Sequence, residues 1–178
     1  MAAAKQGVYA IEVDPRQLKD LLGVLRSLDK ETQDEVRTRA QPLSQRLAGQ
    51  LMMSANQAPA PATKLLANSK AIKTPRDRLI RVDIGGSVKV GRKYGGQKNS
   101  RGQKTKQNSA PAGALLWGTE YGSHPGIDSI GRPYSDRFKV GANSKGYWIA
   151  PAVEFYVPIV AKEYAEMIQE VAKRGGVA

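Results

Sequence analysis

His124 follows Ser123, and a hydroxyl beside an imidazole suggests a nucleophile with its general base. Neighbouring residues rarely meet in the geometry that proton transfer from serine to imidazole needs. No strand-turn-helix serine elbow surrounds the pair, which therefore reads as a polar turn. Glu120, Asp128 and Asp136 punctuate the same turn-rich stretch and could converge as a general acid and base. Carboxylates in such loops more often cap and turn the backbone, and that role is the expectation here. The glycines at 85, 86, 91, 95 and 96 match no dinucleotide fingerprint, and no lysine follows a glycine in the phosphate-loop pattern. With no cysteine and a single histidine, thiolate chemistry and any two-imidazole site are excluded. The expectation is a protein that is not an enzyme, with no catalytic residue, no metal and no cofactor.

What remains is charge, and it is unevenly placed. The 178 residues carry a formal net charge of +12. Residues 64–106 hold thirteen Lys and Arg against Asp77 and Asp83, net +11, which leaves +1 for the other 135 residues. A neutral scaffold with one basic element should face something anionic, either nucleic acid or an acidic protein surface. The candidate contacts are Lys89, Arg92, Lys93, Lys98, Arg101, Lys104 and Lys106. Cations on a glycine-rich tether suit phosphates without base readout, and the lack of interleaved aromatics favours loose duplex contact over single-strand stacking. A solvated loop, or one ordered by an acidic subunit, is the competing reading.

The length suits a single domain over 1–178 with a full core, and 40% hydrophobic with 25% charged residues is an ordinary globular balance. The longest apolar runs fall far short of the roughly 20 residues a membrane span needs. No apolar segment follows Lys5, so no secretory leader is read and a cytoplasmic site of synthesis and use is expected.

The elements that position these residues follow from spacing. Tyr9, Ile11 and Val13 alternate with Ala10 and Glu12 as in a half-buried strand. Asp14-Pro15 then opens a helix whose Leu18, Leu21, Leu22, Leu25 and Leu28 form one stripe. Asp29 caps a second helix to about Ala55, with a kink expected at Pro42, and the two form a helical hairpin. Ala58-Pro59-Ala60-Pro61-Ala62 reads as an extended connector, with a brief helical turn over 63–72. Ile80, Val82 and Ile84 face Val88 and Val90 across a Gly85-Gly86 turn as a hairpin. Residues 91–113, with five glycines and Tyr94 as the lone large apolar group, read as a long mobile loop. Phe138 and Val140 oppose Tyr147 and Ile149 as a second hairpin. An amphipathic helix over about 151–173 ends the fold, with Pro158 as its kink or its start and Gly175-Gly176 as its stop. The fold class is α+β: an antiparallel sheet of about four to five strands packed against an N-terminal helical hairpin and a C-terminal amphipathic helix, with a long basic loop.

Two short signatures stand in this framework. One is Leu116-Trp117-Gly118-Thr119-Glu120-Tyr121-Gly122, and the other is Tyr147-Trp148-Ile149-Ala150-Pro151-Ala152-Val153. With the order of elements from Tyr9 to Arg174, they resemble the neck and tail-completion proteins of long-tailed bacteriophages, which form rings at the head-tail junction. The residues carrying the likeness are Trp117, Gly118, Thr119, Tyr121, Gly122, Trp148 and Pro151. Gly118 and Gly122 permit a tight change of direction, Trp117 and Tyr121 should anchor it on the core, and Pro151 presets a helix start. The chain departs from the family pattern in its longer basic loop and in an insert from His124 to Asp136.

The resemblance implies a structural virion protein at the head-tail junction, assembled in the host cytoplasm. Six or twelve copies would close a ring around the DNA channel, joining connector to tail as neighbours, with double-stranded DNA as a further contact and no membrane. A tail terminator ring capping the tail tube is the alternative within the family. A basic, sequence-independent nucleic-acid-binding protein is the alternative outside it.

Overall fold

The structure, a computed structural model, describes residues 8–12, 23, 29–90, 110–122, 126–127, 133–134 and 138–174. The fold is α+β. Strand β1 spans Val8–Glu12. Helix α1 covers Lys30–Gln57 and starts where the sequence places its cap, since the Asp29 carboxylate accepts the Thr32 N–H at 2.7 Å. It runs through Pro42 and buries Val36, Ala40, Ser44, Leu47, Leu51 and Ala55 on one face. Of the leucine-striped helix expected before Asp29, Gly23 is described and is helical, while the leucines, and with them the hairpin, lie outside the described residues.

Pro59 breaks the chain, but the connector is shorter than expected. Pro61 sits at the start of helix α2, Pro61–Ala67, where its missing N–H costs nothing. Short strand β2, Ile72–Lys73, leads to β3, Arg81–Gly85.

The sheet departs from the expectation of four to five strands in one layer. β1, β3 and β2 form a three-stranded antiparallel sheet with β3 at the centre, Tyr9 opposite Ile84 and Ile11 opposite Val82. Gly85 and Gly86, both at positive φ, do turn the chain. The strand beyond them, β4 (Lys89–Val90), nevertheless pairs with β5 (Ala110–Pro111) rather than folding back on β3. The expected first hairpin is therefore a corner between two sheets. The long loop is also shorter than drawn: Ala110 and Ala112 are buried, and Ala112–Ala114 make a 3₁₀ turn before helix α3, Leu116–Tyr121. A third small sheet pairs β6 (Gly126–Ile127) with β7 (Pro133–Tyr134) inside the expected insert.

The expected second hairpin is absent. Residues 138–148 form bends and turns, and Ile149 opens helix α4, Ile149–Arg174, two residues before the predicted start. Helix geometry explains the change. Val153, Val157, Val160, Tyr164, Ile168 and Val171 already needed a helix, and the buried side chains Ile149 and Ala152 extend the same face by one turn. α4 also runs through Pro158. The expected stop at Gly175-Gly176 lies outside the described residues.

α4 lies antiparallel on α1. Arg39 reaches Glu170 at 3.2 Å, Arg46 pairs with Glu163, and the Ser54 hydroxyl donates to the Trp148 carbonyl at 2.9 Å. Trp148, Tyr164, Leu47, Leu51, Ile80, Val82 and Ile84 are fully buried, so the core sits where the two long helices meet the β3 side of the sheet. Among the described residues, no helix is long and apolar enough to cross a membrane.

Candidate functional site

The two signatures, separated by 24 residues of sequence, meet at one point. α3 carries Glu120, whose side chain is buried beside the first turn of α4. Its Oε2 accepts the N–H groups of Trp148 (3.1 Å) and Ile149 (2.7 Å), and Oε1 accepts that of Ala150 (2.8 Å). Its backbone carbonyl accepts the Tyr147 N–H at 2.8 Å. The opening turn of a helix leaves its first N–H groups without intrahelical partners. Here one carboxylate takes three of them, and Pro151 follows with no N–H to satisfy. The negative charge also lies at the positive end of the helix dipole.

This arrangement decides the role of the carboxylate. All its described bonds are to backbone donors, so Glu120 is a cap supplied from a distant element, the role expected for it as a turn-region carboxylate. Asp128 and Asp136, its expected companions, lie outside the described residues, as do Ser123 and His124. Among the described residues, no group of three or more His, Cys, Asp and Glu could hold a metal ion.

Glycine makes the junction possible at two places. Gly146 adopts φ 79° directly against the Glu120 carboxylate, where a Cβ would overlap Oε1. At Gly118 a Cβ would lie 2.0 Å from Cε2 of Phe138, so the missing side chain lets α3 lie on the edge of that ring. Gly122, at φ 73°, ends α3 with the change of direction expected of it. Asn143 holds the returning segment: its N–H donates to the Tyr121 carbonyl and its amide to the Gly146 carbonyl, both at 2.8 Å. Thr119 is buried and donates its hydroxyl to the Leu116 carbonyl at 2.9 Å.

Trp117 corrects one expectation. It does not anchor the turn on the core; it is 74% exposed, stacked on Tyr121 with centroids 5.1 Å apart. On the short α3 helix, Leu116, Thr119 and Glu120 point inward, which leaves Trp117 on the outer face. The tryptophan that fills the core is Trp148. Pro151 is in the first turn of α4, as expected, but is not its first residue.

Of the basic candidates, Lys89 is described and lies exposed on β4. Arg92, Lys93, Lys98, Arg101, Lys104 and Lys106 lie outside the described residues. Val90 and Ala110 are direct partners in the β4–β5 ladder, so the segment bearing these six cations begins and ends at one point of the molecule. Lys64, Lys70, Lys73 and Arg76 add exposed positive charge within the described part of the basic stretch.

Comparisons with protein-family models, with curated proteins and with solved structures found no match.

Proposed function

We propose that this chain is a non-enzymatic structural component of the head-tail junction of a long-tailed bacteriophage. Six or twelve copies form a neck or tail-completion ring that joins connector to tail around the DNA channel. The observation that carries the reading is the meeting of the two signatures. The Trp117–Gly122 segment and the start of α4 are joined by four hydrogen bonds centred on Glu120. Residues arranged in this way fix the angle of a long helix, which is a mechanical task. A ring subunit needs such rigidity, because small errors in subunit angle accumulate around a closed circle.

The ladder that pairs Val90 with Ala110, the two residues flanking a sequence with six cations, supports a second reading, contact with a polyanion. Within a ring this is contact with the genome or an acidic neighbour; without one, the chain is a loose duplex-binding protein.

Negative-stain electron microscopy of the purified chain, with duplex-DNA retardation measured across a salt series, separates the two. The ring reading expects closed annuli and co-purification with connector or tail proteins. A salt-sensitive monomer that retards duplex DNA would favour the binder instead.

A further inference from the structure

Met53, Leu65, Trp117, Phe155 and Ile159 are the large apolar side chains left exposed among the described residues. Isolated surface hydrophobes need no explanation, but three of these belong together. Arg46, Gln50 and Met53 share one face of α1 at i, i+4 and i+7. Tyr156, Ile159 and Glu163 share the adjoining face of α4, and Phe155 packs edge-on against Tyr156 at 4.9 Å. Between the helices runs a groove of about 220 Å³, lined by Arg46, Leu47, Gln50, Tyr156, Ile159 and Glu163 among others.

Trp117 stands apart from the core, its indole held against Tyr121 by stacking. A fixed aromatic loses little conformational entropy on docking, and tryptophans of this kind dominate interface energies. None of the described residues covers it beyond Tyr121. A protruding indole and a groove floored by Leu47, Tyr156, Ile159 and Val160 on the same chain can satisfy each other between copies.

Charge selects the occupant. The two charged residues lining the groove, Arg46 and Glu163, pair with each other, so this face is neutral, whereas residues 64–106 carry +11. Copies can approach here without the repulsion their basic segments impose, and a polyanion gains nothing here. We infer that Trp117 of one copy seats in the groove bordered by Met53, Phe155 and Ile159 of a second copy of this chain. The contact joins two different surfaces, the kind that propagates head to tail and closes into rings. The inference deepens the ring reading and rests on its premise that copies associate.

The test is sedimentation of the full chain, of Trp117→Ala, of Phe155→Glu, and of the two variants mixed. The wild type should assemble, and each variant alone should lose association by roughly tenfold or more. The equimolar mixture should form a two-copy species, because one variant keeps the groove and the other keeps the indole. Trp117 fluorescence should also shift to shorter wavelength as the wild type is concentrated, a readout that needs no variant to fold. Wild type and both variants assembling alike, with no fluorescence shift, would overturn the inference and leave the ring reading standing. A wild type monomeric at every concentration would overturn both. A two-copy wild type abolished by either substitution would support the inference and remove the ring.

Discussion

Glu120 Oε2 accepts the backbone N–H of Ile149 at 2.7 Å, across 29 residues of sequence, and so sets the start of the longest C-terminal element from inside a six-residue helix. Removing the carboxylate strands three N–H groups, two of them buried and that of Ala150 half-buried. Glu120→Ala should cost about 3 kcal/mol or more, given about 1.5–3 kcal/mol for a buried bond to a charged group. Glu120→Gln, which keeps one acceptor oxygen, should cost less. Urea denaturation measures both, and a Glu120→Ala loss within that of an ordinary surface substitution would remove Glu120 from its capping role.

Gly118 lies against the Phe138 ring so closely that any side chain must displace it. Gly118→Ala should destabilise by about 1–3 kcal/mol, the usual cost of overpacking. In a Phe138→Ala background the same change should cost clearly less, and a double-mutant cycle in urea reads the difference. Equal costs in both backgrounds would mean that the contact carries no strain.

Tyr164 is buried and donates its hydroxyl to the Arg78 carbonyl at 2.6 Å, tying α4 to the strand-entry segment. Burial, assisted by nearby Asp77 and partly opposed by Arg78, pushes the phenol well above its ordinary value of 10.0. The folded protein therefore holds this proton more tightly than the unfolded chain. The associated stability is complete below pH 10 and is lost as pH rises toward the folded value. Tyr164→Phe should cost about 1–2 kcal/mol at neutral pH and flatten this alkaline decline. Thermal melts between pH 8 and roughly 11 follow it.

The sequence made the long helices plain because their signals are local. Asp29 is a cap one residue before the helix begins, and the spacing from Val153 to Val171 needs no partner to be read. Strand pairing was not legible in the same way. Ile80, Val82 and Ile84 advertise a strand but not its neighbours, which come from Val8–Glu12 and Ile72–Lys73 rather than from the adjacent Lys89–Val90. Local turn chemistry at Gly85-Gly86 suggested the wrong mate. The turn-rich setting of Glu120 points to a capping role but not to the helix that it caps. One signal was available: Trp148 is a poor N-cap residue, so a helix opening there needs its acceptor from elsewhere. The exposure of Trp117 depended on which side of a six-residue helix met the core, and so short an element has no periodicity to reveal that.

Asp29 should govern an acid response. Hydrogen bonds from Thr32 hold its carboxyl below the ordinary 3.8, so its contribution is present above that value and lost as pH falls through the lower, folded one. Asp29→Ala should lower the melting temperature at pH 7 and bring it closer to wild type at pH 2–3, a convergence that calorimetry can measure. A constant gap across that range would place the effect outside the cap.

Native mass spectrometry of the purified 178-residue chain, sprayed at moderate salt, tests the ring most directly by counting copies. The ring account predicts one discrete assembly of six or twelve subunits of 19.3 kDa, conserved over a range of protein concentrations. A spectrum of monomers alone, or a continuous ladder of oligomers with no preferred closure, would contradict it.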